Sequence, residues 1–139
     1  MAREILFKAK RKDNGEWVEG LPAIFWEEYY MFNPNDKNMA YGIDIDTLCQ
    51  YTGLTDKNGN KIWENDIIKY HFGEQTAPIK YGIYQSCFDF TKTQHCGFYV
   101  DWDYKKNLRK DLGYWINMVD VKVIGNIFDN PELLEDEHG

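Results

Sequence analysis

The sequence predicts a mainly β fold, a small barrel or sandwich that carries one short helix. Three observations point there. Apolar and polar residues alternate over short runs, turn residues punctuate those runs at regular spacing, and aromatic residues make up 17% of the chain, with ten Tyr and five Trp. Alternation turns one face of a strand to a core and the other to solvent. Tyr and Trp suit a pleated, half-buried surface, and they are also enriched where proteins bind partners. At 139 residues the chain forms one domain or two small lobes, and it can bury a core without disulfide or metal staples.

The elements follow in order. Ile5, Phe7 and Ala9 share a face, Asp13-Asn14-Gly15 is a turn, and Trp17-Val18 begins the return strand of a hairpin. Leu21-Pro22 is expected to break that strand. Ile24 to Phe32 reads as one apolar, aromatic strand around two acids. Asn33 to Asp36 is a loop. Tyr41, Ile43 and Ile45 then share a face, with Asp44 and Asp46 on the other. Asn58-Gly59 is a strong hairpin turn, and Lys61-Ile62-Trp63 returns from it. Glu64-Asn65-Asp66 is a second tight turn, with Asn65 suited to the left-handed region. Ile68, Tyr70 and Phe72 share a face, as do Ile79, Tyr81 and Ile83, and Phe98, Val100 and Trp102. Asp103 to Leu112 is the expected helix, with Tyr104, Leu108 and Leu112 in a stripe and Gly113 as its end. Trp115 to Phe128 reads as extended, with Val119, Val121 and Val123 in phase. Pro131 to Glu137 is expected to form a short acidic turn of helix or to fray.

Charge and cysteine usage narrow the function. A net charge of −7 opposes broad binding to duplex nucleic acid or anionic membrane, which needs a basic face. Cys49, Cys87 and Cys96 are an odd number without paired spacing, so a reducing compartment is expected and not a disulfide framework. The N-terminal residues contain no long apolar run of the signal-peptide or membrane-spanning kind. A cytoplasmic protein is expected.

The stretch Tyr51 to Tyr70, YTGLTDKNGNKIWENDIIKY, is the densest in turns, aromatics and charges. Counted from Asp56 as an EF-hand loop, the sixth position is Lys61 where Gly is needed, and the twelfth is Ile67 where Glu is needed. A phosphate-binding loop needs clustered glycines leading into a helix. Only Gly53 and Gly59 are present, between strands. His71, Cys87, His95 and Cys96 lack metal-ligand spacing. They also give no sequence sign of a nucleophile–base dyad. The acid pairs Glu64 and Asp66, Asp44 and Asp46, and Asp101 and Asp103 have the spacing of a carboxylate couple, and solvated strand faces share it. No cofactor or metal site and no catalytic residue is therefore assigned. Lys105, Lys106, Arg109 and Lys110 form a basic stripe on the expected helix, with Tyr99, Trp102, Tyr104 and Trp115 near in sequence. This makes single-stranded nucleic-acid binding the alternative function.

Gln50-Tyr51-Thr52-Gly53-Leu54, Asp56-Lys57-Asn58-Gly59 and Ile62-Trp63-Glu64-Asn65-Asp66-Ile67-Ile68 resemble the signature of the YopX family, small proteins of phages and prophages. The run Val123 to Leu134 resembles that family's C-terminal signature, and Arg3-Glu4-Ile5 with Phe7 fits its N-terminus. Residues 71 to 115 match least. The family usually has Gly where this chain has Asn65, and Asn is the next most tolerant of positive φ. The resemblance implies an SH3-like small barrel for residues 51–139 after a β-rich lobe at 1–50, and it supplies no enzyme activity. It implies that Tyr51, Thr52, Gly53, Asp56, Asn58, Gly59, Trp63, Glu64, Asn65 and Asp66 form an architectural signature. The expected function is that of a non-enzymatic phage or prophage accessory protein in the bacterial cytoplasm. Its expected partner is a host or phage protein, or a second copy of itself.

Overall fold

The computed structural model describes residues 4–33, 35, 40–70, 75–85, 91, 93–102 and 110–135. They form nine strands and two short helices, so the fold is mainly β. The chain divides into two compact units, Met1–Gly53 and Leu54–Gly139.

The first unit holds β1 (Phe7–Arg11), β2 (Trp17–Phe25), β3 (Glu28–Phe32) and β4 (Ala40–Thr55), all paired antiparallel in that order, with β1 also pairing β4. The sheet therefore curls back on itself. Long strands make this possible by changing partners. The first half of β2, Trp17 to Gly20, pairs β1, and the second half, Leu21 to Phe25, pairs β3. Gly20 sits at the switch, where an added Cβ would lie 2.7 Å from the Phe32 carbonyl carbon. Pro22 does not break the strand as expected. It pairs opposite Met31, in the half of β2 that, among the described residues, has no second neighbour for a missing N–H to disturb.

Ala9, Val18, Met31 and Ile43 fill the ring, with Phe7, Tyr29, Tyr41 and Leu48 packed against them. β4 departs from the expected alternation. Between Lys8↔Cys49 and Lys10↔Asp44 the register shifts, so β4 carries extra residues against β1. The Thr47 hydroxyl fastens this bulge, accepting from the Lys10 amide at 2.8 Å and donating to the Asp44 carbonyl at 2.7 Å. The Asp46 amide donates to Asp44 Oδ1 at 3.1 Å. Ile45 therefore lies exposed while Ile43 is buried.

The second unit holds β5 (Lys61–Trp63), β6 (Asp66–Tyr70), β7 (Thr76–Tyr84), β8 (His95–Val100), α1 (Leu112–Met118), β9 (Val121–Asn126) and α2 (Glu132–Glu135). Four strands form a sheet in the order β8-β7-β6-β9. The described ladders do not by themselves draw the closed SH3-like barrel that the resemblance implies. The core is Ile62, Ile68, Ala77, Ile79, Val100, Trp102, Leu112, Trp115 and Val121. Tyr70 packs edge-on to Trp102 at 5.6 Å and tilted on Trp115 at 5.5 Å.

A helix stands where an extended run was expected. Residues 103–109 are outside the described residues, and the observed helix starts at Leu112 and contains Gly113, which had been expected to end one. Leu112 and Trp115, three apart, are both buried, and Ile116 packs against the same core, which is a helical and not an extended spacing. Trp115 to Met118 is thus helical, and the extended run begins at Val121.

Candidate functional site

The YTGLTDKNGNKIWENDIIKY stretch is built around two carboxylates. Asp56 is almost wholly buried. Its Oδ1 accepts from the amides of Asn58 at 3.0 Å and Asn60 at 2.9 Å, and its Oδ2 from Asn60 Nδ2 at 3.2 Å and the Val123 amide at 3.3 Å. Burial pushes the Asp56 carboxyl up, but the bonds from Asn60, Val123 and Asn58 outweigh it, and the group titrates below its ordinary value. The turn closes through Asp56 N–H to the Asn60 carbonyl and Gly59 N–H to the Asp56 carbonyl, with Gly59 at φ +85°. The buried Asp66 carboxylate accepts from the Trp63 amide at 2.8 Å.

Asn65 lies between them at φ +71°. Its N–H donates to the Ile79 carbonyl at 2.7 Å, and its carbonyl accepts from the Ile127 amide at 3.0 Å. In the C-terminal run, Asn126 Oδ1 accepts from the amides of Phe128 and Asp129, and Asn130 Oδ1 accepts from the Asn126 amide. Asp56 and Asn65 therefore tie the two signature runs to each other in space. Tyr51 and Trp63 are buried. Every polar atom just named serves a turn or a strand.

The basic stripe is mostly outside view. Lys105, Lys106 and Arg109 lie outside the described residues, as do Tyr104, His71, Cys87 and Asp103. Lys110 is half-buried, and its carbonyl accepts from the Val100 amide. Among the described residues, no three His, Cys, Asp or Glu side chains gather where a metal ion could sit. No helix among them is long and apolar enough to cross a membrane.

The feature that sequence reasoning missed is in the first unit. Ile24 to Phe32 is not one strand. It folds back at Trp26-Glu27, a two-residue loop between the paired Phe25 and Glu28. Both loop residues have positive φ, +54° at Trp26 and +65° at Glu27, which is the tight hairpin turn that ordinarily selects Asn-Gly. A bulky residue there is strained. Trp26 is nevertheless 94% exposed. Phe25 beside it packs edge-on to Phe32 at 6.0 Å and tilted on Tyr30 at 6.3 Å.

The register shows how far the apolar surface extends. Met31 is buried in the ring and shares its face with Pro22, Ile24 and Tyr29. The opposite face carries Leu21, Ala23, Phe25, Tyr30 and Phe32, with Glu28 at its end, where an antiparallel strand pair with one solvated face would be mostly polar. Leu21, Ile24, Phe25 and Phe32 are all exposed. β4 pairs only Tyr30 to Phe32 of β3, so the tip from Ile24 to Tyr29 extends past the ring. Glu27 and Glu28 are exposed at that tip.

A second apolar ribbon lies in the other unit. Ile79 is buried, but Tyr81 and Ile83, on the same face of β7, are 57% and 66% exposed. Tyr81 packs edge-on to Phe98 at 5.0 Å. On the other face Tyr84 stacks on Tyr99 at 5.2 Å and on His95 at 5.3 Å. Burial raises both phenols, with Asp111 adding at Tyr84 and Asp101 at Tyr99, so the stack carries no tyrosinate near neutrality.

Compared with known proteins, the chain matches no curated protein. The family model described as YopX protein matches residues 3–135, nearly the whole length. The two signature runs that Asp56 and Asn65 join fall inside that match, and the chain belongs to the YopX family.

Proposed function

We propose that this protein is a non-enzymatic interaction module, and that it holds its partner through the β2–β3 hairpin tip. The observation that carries the reading is Trp26, a large aromatic residue held at positive φ and left in solvent. Neither feature helps the fold. A residue that costs stability and buries nothing is best accounted for by a contact made outside the chain. Trp is also among the side chains that dominate binding energy when seated in a pocket.

The partner is a protein with an apolar pocket bordered by basic side chains. Glu27 and Glu28 follow Trp26 directly, and the chain carries a net charge of −7, so an anionic bilayer would repel this tip. Two copies meeting tip to tip would oppose the same glutamates. In the phage or prophage setting that the family resemblance implies, the natural candidate is a protein of the bacterial host or of the phage.

The test replaces the loop with the residues its geometry prefers. Trp26→Asn with Glu27→Gly keeps the turn and removes the anchor. Wild type and variant, each as the full chain, are used to capture partners from host lysate. A protein held by wild type and weakened about 30-fold or more in the variant, the loss of a typical hot-spot residue, is the expected result. Capture that does not distinguish the two chains sinks the reading.

A further inference from the structure

A cavity of about 250 Å³ in the second unit is lined by Lys57, Asn58, Lys69, Tyr70, Asp120 and Lys122. Three lysines against one aspartate make it net basic on a chain of net charge −7. The pairing of its strands is unusual. Lys69 on β6 stands directly opposite Lys122 on β9. Like charges in that position oppose sheet formation. Among the described residues no carboxylate pairs with either ammonium, and the cavity's one acid, Asp120, is taken by Lys57 at 3.4 Å.

The loop that brings Lys57 and Asn58 to the cavity is fixed in place. Asp56 accepts from the Asn58 amide on one side and from the Val123 amide, next to Lys122, on the other. The carboxylate that organises the signature turn thus sets the spacing between Lys57, Asn58 and the lysine pair.

We infer that this cavity binds a phosphate group, held by Lys69 and Lys122 with Lys57 and Asn58 at its rim. A multiply charged anion placed between Lys69 and Lys122 converts their repulsion into two charge-assisted contacts. The volume has room for a phosphate or pyrophosphate group but is below the range of pockets that enclose a drug-sized molecule. A small phosphorylated metabolite and a nucleic-acid strand would present the same group.

The experiment titrates the full chain with pyrophosphate, and separately with oligothymidylate, at constant ionic strength, following amide chemical shifts. Expected is saturable binding that weakens about tenfold in Lys69→Gln or Lys122→Gln, as loss of one charge-assisted bond implies, and vanishes in the double variant. Lys12→Gln, the same charge change in the other unit, should leave it unaltered. Without ligand the double variant should melt no lower than wild type, because a repulsive pair has been removed. Lysine-dependent binding of pyrophosphate assigns the site to a small phosphorylated ligand. Lysine-dependent binding of oligothymidylate alone assigns it to a strand. No saturable binding by either probe, or equal weakening by Lys12→Gln, overturns the inference.

Discussion

Removing the Asp56 carboxylate should unravel the joint between the two signature runs. Four hydrogen bonds end on it, from the Asn58 and Asn60 amides, Asn60 Nδ2 and the Val123 amide. Bonds to a charged group contribute about 1.5–3 kcal/mol each, but they are not additive here. Asn58 and Asn60 are exposed, so water can replace the carboxylate at those donors. Val123 is half-buried, and its amide would be left without an acceptor. Asp56→Ala should therefore cost about 2–3 kcal/mol, less than the simple sum, and lower the melting point by about 8–12 °C. Asp56→Asn keeps one oxygen but turns an amide group toward Val123 or Asn60, and should cost slightly less. The pH dependence has a definite sign. The folded carboxyl titrates below its ordinary value of 3.8, so its stabilisation is complete above that value and disappears as pH falls through the lower, folded pKa. Urea unfolding of wild type and Asp56→Asn, compared from neutral pH downward, should show a gap that is constant above about pH 5 and closes in acid. Equal midpoints at pH 7, or a gap that persists in acid, would refute the account of Asp56.

Three shorter predictions concern the backbone. Gly20→Ala should destabilise the first unit by about 3 kcal/mol or more, since the new methyl meets the backbone of Phe32 and not a movable side chain; amide exchange in β1 to β4 reads the loss. Asn65→Ala should cost about 1 kcal/mol because φ is +71°, whereas Asn65→Gly, which adopts positive φ without strain, should match or exceed wild type in thermal unfolding. The Trp26→Asn, Glu27→Gly hairpin should raise the melting point, by about 1–2 kcal/mol of relieved strain; a lower melting point would mean that Trp26 supports the fold.

Much of the second unit was legible because its turns use residues with one conformational talent. Gly59 and Asn65 stand at positive φ, as the two turns require. The hairpin tip was not legible, since Trp26 and Glu27 have no turn chemistry and the run from Ile24 to Phe32 is apolar and aromatic on both sides of its two acids. The bulge in β4 was hidden for a different reason. Tyr41, Ile43 and Ile45 alternate faultlessly, and the strand leaves that alternation through the bonds at Asp44 and Thr47, one of them the long-range bond from Lys10. For the helix, the three valines at 119, 121 and 123 drew the extended reading backward over Trp115 and Ile116, whose spacing from Leu112 is helical. The lysine pair could not be read at all, because the positions are 53 residues apart and meet only through the register of β6 and β9.

Pro22 has a consequence for how the hairpin can be used. Among the described residues, β2 from Leu21 onward pairs with β3 on one side only, so its other side is open to a passing strand. An apolar hairpin with such an open flank is a template for amyloid-like addition. Proline interrupts that template, since it presents no N–H along the flank. The chain can therefore hold out Phe25 and Trp26 while discouraging recruitment of another polypeptide through main-chain pairing. Recognition at this tip is left to side chains, and it is selective to the degree that side chains are.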